Sequence, residues 1–319
     1  MIGRSPWPEG KTKKGGTQNR MRNWKRKIYP YLFLSPFALI TILFFIIPAL
    51  ATVWMGMTNL DRKMKPEFIG FDNFRRIATD INLLPIIKVT LIYVIFSLIL
   101  TVTLSAMLAV CTQYLVKNKK AGALYRVVWL IPSTMPGIVY VIFWKWLFNP
   151  STSGFANKVV GWLGISEPIS WFNEMGLAIV ILAGVISGAS GGMILLSASI
   201  NSIPEDLYKA AKVDGATEGS IIRDIIMPAL KWPIMYVTVT TSIGLFSSYN
   251  FIYLATKGGP VYDTTTLAFY GFTLAFTKLN YGYGAAISLI VVAISLLLTL
   301  LLFKLFDFNK LIRPPRIED

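Results

Sequence analysis

The chain has 319 residues, 54% hydrophobic and only 15% charged, with a mean hydropathy of +0.58 and a net charge of +15. A soluble globule usually carries about 25% charged residues, so this chain has too little polar material to cover a water-facing surface. It has no histidine and one cysteine, Cys111, which excludes an intramolecular disulfide, a Cys/His zinc site and a histidine-based triad.

Residues 1–27 are basic, glycine-containing and short of apolar groups, and read as a disordered tail. Six stretches free of Asp, Glu, Lys and Arg then follow at 28–60, 89–116, 127–144, 175–204, 232–256 and 279–303. Each can hold the roughly 20 apolar residues that a spanning helix needs, which predicts an all-α integral membrane protein with six transmembrane helices. Buried helices of a large soluble core would need polar outer faces, which these lack. The division expected is a tail at 1–27, a transmembrane domain at 28–306 and a second tail at 307–319. With six spans both termini share a side, and that side carries 21 of the 31 Lys and Arg. The positive-inside rule then places both termini in the cytoplasm of a multi-pass plasma (inner) membrane protein. The basic excess reads as topogenic and lipid-facing, and no nucleic-acid-binding fold accompanies it.

Pro36 and Pro48 fall in the first span, and an outer loop runs from Asn59 to about Pro85. Cys111 sits deep in the second span and reads as packing. Pro132, Pro136 and Gly137 predict a kinked or broken third span, tolerated only where protein or a water-filled path satisfies the freed backbone. The fourth span is rich in small residues between Gly184 and Gly192, which suits close helix packing or a binding path.

The loop between the fourth and fifth spans, 202–228, differs from the rest. Ser202 and Glu205 have capping-box spacing, with Pro204 suited to a first turn. A short helix would present Leu207, Ala210 and Ala211 on one face and stop at Asp214-Gly215. Thr217 would cap a second helix that Pro228 ends. Charges of both signs favour docking into another protein over lying on lipid headgroups.

Lys209-Ala-Ala-Lys-Val-Asp-Gly215, followed after nine residues by Ile225-Ile-Met-Pro228, resembles the "EAA" signature of binding-protein-dependent ABC importer permeases. Lys209 stands for the usual Glu and Met227 for the usual Leu. The likeness extends over about residues 29–310 and is closest to the carbohydrate, maltose-permease-like branch. Tyr31-Leu-Phe-Leu-Ser-Pro36, Phe68-Ile-Gly-Phe-Asp-Asn-Phe74, Tyr249-Asn-Phe-Ile-Tyr253, Thr256-Lys-Gly-Gly-Pro260 and Tyr283-Gly-Ala-Ala-Ile287 carry it.

The resemblance implies a coupling helix that sits in a cleft of the ATPase subunit, here Glu205, Leu207, Tyr208, Lys209, Ala210, Ala211, Asp214, Gly215, Ala216 and Pro228. It also implies a sugar path near Ser187, Gly188, Gly191, Gly244, Leu245 and Ser248, to which the hydroxyl- and aromatic-rich fifth span adds Tyr249 and Asn250. Small residues there could equally serve packing. The implied partners are a second homologous permease, two ATP-binding-cassette subunits, an extracytoplasmic substrate-binding protein and the bilayer, with no nucleic acid. No phosphate-cradling GxxxxGK[ST] loop exists in the chain, so no cofactor is expected here; ATP and Mg belong to the partner ATPase. The chain reads as a sugar-translocating permease and not an enzyme. An ion-coupled secondary transporter or channel for a small polar solute is the alternative. It is disfavoured because such proteins place Asp, Glu or His within their spans.

Overall fold

The computed structural model describes residues 29–165 and 167–306, and the two expected tails at 1–27 and 307–319 lie outside that range. By contacts the chain divides into residues 1–54 and 55–319. The described residues are helical throughout, apart from turns and one isolated bridge between Thr58 and Phe68.

Helix α1, Tyr29–Gly56, is long and apolar enough to cross a membrane. Its π turn, Ile42–Ile46, lies just before Pro48, and the Ile47 amide donates to the Ile42 carbonyl. Proline lacks a donor and its ring crowds the carbonyl four residues back, so widening the preceding turn relieves the clash without ending the helix.

In the second unit, α2 (Asp72–Thr79) leads into α3 (Leu83–Leu115), whose last turn is also π. Asn118 caps α4 (Lys119–Thr134) by accepting from the Lys120 and Ala121 amides. The expected third span is broken: Met135 is extended, and α5 (Gly137–Leu147) leaves at 98° to α4. A residue before proline is pushed out of the helical region, and Pro136 supplies that constraint. Two short helices, α6 (Phe155–Trp162) and α7 (Trp171–Glu174), precede α8 (Gly176–Asn201).

Helix α9 is Glu205–Val213, and α10 is Glu218–Ile221. Pro228 does not end the second loop helix. A π turn, Ile222–Ile226, carries the helical path into Met227–Ala229, so the proline sits in a first turn where its missing donor is harmless. Helix α11 (Lys231–Ser247) stops at an extended Ser248 and resumes as α12 (Asn250–Ala255). The chain closes with α13 (Leu267–Thr277) and α14 (Tyr281–Leu305). Among the described residues α1, α3, α8 and α14 can cross a membrane by length and composition, and the bent pair α4–α5 would add a fifth.

Small residues set the helix spacing. Gly188 lies over the Thr101 methyl, and Gly192 meets Ser105, whose hydroxyl donates to the Ala189 carbonyl at 2.9 Å. Glycine and serine thus bring α3 and α8 into backbone contact, as membrane helices do when hydrophobicity cannot drive their association. Gly271 and Gly284 do the same between α13 and α14. Hydroxyls within the helices donate back to carbonyls of the preceding turn, as Thr90 does to Ile86 and Thr238 to Ile234. A hydroxyl paired in this way needs no partner outside its own helix.

Cys111 is exposed and lies at the start of the π turn near the end of α3. It does not pack in the interior, because the face of α3 that meets α8 carries the neighbouring Ala109, Val110 and Thr112 instead.

Candidate functional site

A cavity of about 430 Å³ opens where α5 breaks away from α4 and α11 gives way to α12. Ser187 of α8, together with Ser248 and Asn250 at the α11–α12 break, lines it, so three of the expected path residues meet in one cavity. Tyr93, Gly137, Tyr140 and Phe251 complete much of the wall, and sequence reading missed them. Tyr93 is one apolar-looking position in a charge-free run, and only the pairing of α3 with α8 turns it inward. The Tyr140 hydroxyl donates to the Ala183 carbonyl at 2.7 Å, while its ring packs edge-on against Trp144 and Phe251. The wall holds no charged side chain; it combines aromatic faces with hydroxyl and amide groups. Such a surface can stack on C–H faces and hydrogen-bond hydroxyls, and a few polar groups in an apolar wall are the usual make-up of a ligand pocket.

Five other expected path residues lie off this cavity. Leu245 and Tyr249 pack into the core, where the Tyr249 ring stacks on Phe272 with centroids 4.6 Å apart. Gly188 serves the α3–α8 contact. Gly191 and Gly244 face open space, and a Cβ at either would meet nothing within 4 Å. Gly191 stands four residues from Ser187, so it continues the cavity face of α8 by one turn, whereas Gly244 lies in the last turn of α11 before the extended Ser248.

At the far end of α8, the 202–228 segment forms an exposed knob. The capping box does not form: the Ser202 hydroxyl turns back to the Ser199 carbonyl at 2.7 Å, and Pro204, the residue before α9, gives it no side-chain cap. Ser202 is still finishing α8, whose carbonyls compete for the hydroxyl, while Pro204 presets the entry into α9. The C-terminus follows expectation. Gly215 has φ +80°, the Ala216 amide reaches the Ala211 carbonyl at 2.9 Å, and the Gly215 amide reaches Lys212 at 3.2 Å. These two bonds make a Schellman stop that only a residue tolerant of positive φ can adopt cheaply. Thr217 caps α10 through the Ser220 amide.

The faces of α9 divide differently from the sequence reading. Tyr208, Ala211 and Ala216 turn inward against the cluster around Leu196 and Ile221, so Ala211 does not share the outer face of Leu207 and Ala210. Leu207 and Val213 are 51% and 87% exposed. Lys209 pairs with Asp206 one turn back at 3.0 Å; both are exposed, so the pair orders the surface and adds little stability. Tyr114, at the end of α3, anchors the knob: its ring stacks on Tyr208 with centroids 5.4 Å apart, and its hydroxyl donates to Glu218. That bond and the neighbouring Lys212, 3.4 Å away, hold the Glu218 carboxyl below the usual range.

At the opposite end of the bundle, Asp80 ties three elements together. One carboxylate oxygen accepts from both the Tyr270 and Tyr283 hydroxyls at 2.7 Å, and the other accepts from Asn82. Arg76 lies over the Tyr283 ring at 4.3 Å from its centroid. Burial pushes the Asp80 pKa up, but the hydrogen bonds from Tyr283, Tyr270 and Asn82 outweigh it and hold it below the ordinary value. Because the folded value is depressed, the stabilisation is complete above the unfolded pKa of about 3.9 and is lost as pH falls through the folded value. We expect the thermal midpoint of Asp80→Asn to lie below that of the parent protein by a constant amount above about pH 5. The gap should narrow below about pH 4. A pH-independent gap in a thermal-melt series would show that the carboxylate charge is not what the tyrosines stabilise.

An apolar helical bundle with broken helices around an uncharged cavity fits an integral membrane protein that passes a solute. The family described as binding-protein-dependent transport system inner membrane component matches residues 101–308, and the chain belongs to that family. It is therefore an inner-membrane permease subunit of an ABC importer and not an enzyme, and the ion-coupled alternative is not favoured. It is 28% identical to the sn-glycerol-3-phosphate transport system permease protein UgpA of Pectobacterium atrosepticum, over 87% of this chain and 94% of the relative. It is 26% identical to the diacetylchitobiose uptake system permease protein NgcF of Streptomyces coelicolor, over 93% of this chain and 87% of the relative. Its fold matches a crystal structure of a bacterial ABC transporter that imports the acidic polysaccharide alginate. That match has TM-score 0.79 and 22% identity, covering 94% of this chain and all of the other.

Proposed function

We propose that the chain is a six-span permease that moves a sugar or oligosaccharide delivered by a binding protein, with a second permease alongside and two ATPase subunits beneath residues 202–228. In this reading α4–α5 and α11–α12 are the two broken spans, the transmembrane domain is 28–306, and both termini are cytoplasmic. Breaks in spanning helices are tolerated where the freed backbone borders protein or a wet cavity, and both breaks border the same one. The knob is the coupling element: its outward Leu207, Ala210 and Val213 form an apolar face on an otherwise polar helix, suited to a cleft in a partner. The charge balance along the chain supports the orientation.

The observation that carries the substrate class is the uncharged, aromatic and hydroxyl-bearing wall formed by Tyr93, Tyr140, Ser187, Ser248 and Asn250. Relatives named for glycerol phosphate and diacetylchitobiose uptake support a hydroxyl-rich cargo. ATP binding and hydrolysis would close the two ATPases, push on the knob, and rock the spans between inward and outward access.

Solubilised with mild detergent, the full chain should co-purify with an ATPase and a second, related permease; purification alone in every detergent would overturn the assembly. Gly191→Trp should be tolerated in folding, since its Cβ points into open space, yet block uptake of a long oligosaccharide before that of a short sugar. Unchanged oligosaccharide uptake would remove Gly191 from the path.

A further inference from the structure

A second cavity, of about 580 Å³, lies between α3, α4 and α8 at the end of the bundle that carries the knob. Its polar half holds two cations, Lys119 and Arg126, and no carboxylate lines it. One Arg126 nitrogen donates to the Thr112 carbonyl at 3.0 Å, which fixes the guanidinium while leaving its other donors free of any protein partner among the described residues. Lys119 has no ion-pair partner there either. Ser197, 6% exposed, sits in the same wall, and its hydroxyl has no hydrogen-bond partner among the described residues. Buried hydroxyls are nearly always paired, so this one points to a ligand or water that the protein alone does not supply.

The cavity is graded along the helix axes. On α8, Asn201 at the end gives way to Ser197 and then to Ile194; on α4, Lys119 gives way to Arg126 and then to Leu130. Val127 and Ile194 are 56% and 45% exposed beside it. A charged mouth at the helix ends, leading to an apolar trough toward mid-helix, matches a molecule with an anionic head and a hydrocarbon tail. An inorganic anion would use the first half and leave the second empty.

We propose that this cavity binds the phosphate headgroup of an anionic phospholipid, with an acyl chain lying along Val127, Leu130 and Ile194. Basic pockets between spanning helices on the cytoplasmic side are a recurrent setting for such headgroups. A neighbouring cavity of about 330 Å³ shares Gln113, Lys119 and Asn201 with the first and reaches Glu205, Tyr208, Lys209 and Lys212 of α9, two cations against one carboxylate. The Tyr208 hydroxyl is likewise buried without a partner. A bound headgroup would thus sit against α9, the helix proposed to couple to the ATPase. The lipid site itself depends on neither that role nor the transported cargo.

The test is native mass spectrometry of the full chain, with whatever subunits accompany it, titrated with phosphatidylglycerol or with phosphatidylcholine of the same chains. The parent protein should bind one phosphatidylglycerol in preference to phosphatidylcholine. Lys119→Gln combined with Arg126→Gln should weaken phosphatidylglycerol by about 30-fold, from about fivefold per cation, and leave phosphatidylcholine unchanged. Lys120→Gln, one residue away but outside the cavity, should behave as the parent. Should the double variant fail to fold, Ala198→Trp fills the cavity while keeping both charges, and should remove the bound lipid. Equal affinity for the two lipids in the parent protein, or full phosphatidylglycerol binding by the filled or uncharged cavity, overturns the proposal. Displacement of the lipid by equimolar inorganic phosphate would also overturn it, by showing that the acyl trough contributes nothing.

Discussion

Gly192→Val is expected to destabilise the bundle by about 3 kcal/mol or somewhat more, because it overpacks a closed contact. A Cβ at this position would lie 2.4 Å from the Ser105 hydroxyl oxygen, 2.8 Å from its Cβ and 3.0 Å from a Val237 methyl. None of these can move cheaply. The Ser105 hydroxyl is held by the Thr101 carbonyl at 2.7 Å and the Ala189 carbonyl at 2.9 Å. The two longest interior helices, α3 and α8, would have to separate. In a chain of 319 residues that cost corresponds to a fall in the melting midpoint of about 4–5 °C, read by fluorescence-detected size-exclusion after heating. Gly191→Val, one residue away, meets nothing within 4 Å and should leave the midpoint almost unchanged. Ser105→Gly should restore part of the loss in Gly192→Val by removing the nearest obstruction. Equal midpoints for the Gly191 and Gly192 variants would mean that α8 does not present Gly192 to α3.

The second large effect is expected on transport, with stability spared. Gly215→Val places a β-branched residue at φ +80°, where L-residues pay about 1–3 kcal/mol. Open space surrounds the position, so the cost is purely conformational. The chain can escape it by opening the Schellman stop, which releases the Ala216–Ala211 and Gly215–Lys212 bonds and lets α9 fray or run on. The outward Leu207 and Val213 would then lose their fixed spacing from α10. A penalty of that size shifts the balance from intact to opened knob by about 5- to 150-fold, and ATP-linked uptake should fall by up to that factor. Membrane insertion and yield should match the parent, because the spans are untouched. Gly215→Asn, which tolerates the left-handed region, should retain most uptake. Normal uptake by Gly215→Val would separate the knob from coupling.

Particular residues show where sequence reading reached and where it stopped. The Gly215 stop and the Thr217 cap were legible because both depend on backbone conformation within a few residues. Ser202 misled for a related reason: a hydroxyl near two helix ends can serve either, and the tertiary path of α8 decided in favour of Ser199. Pro228 has the local signature of a helix terminator, but the π turn Ile222–Ile226 absorbs it. The third span's break was visible in Pro136, whereas the interruption at Ser248 carried no proline or glycine to announce it. Tyr93, Tyr140 and Tyr114 went unnoticed, since an aromatic residue in an apolar run looks the same whether it faces lipid, a cavity or another ring.

By itself the sequence determined that this protein belongs in a membrane and where its long charge-free, apolar stretches lie. Those properties follow from transfer of individual side chains between water and hydrocarbon, and such costs add residue by residue along the chain. Tertiary structure alone decided which small residues pack and which open onto space. Gly188 and Gly192 touch α3 and Gly191 does not, although all three share one short stretch. It also gathered Tyr93, Ser187 and Ser248 around one cavity, and Lys119, Arg126 and Ser197 around another. Inside a membrane, helix faces are chosen by close packing rather than by hydrophobicity, and packing is a property of pairs of helices that no single segment carries.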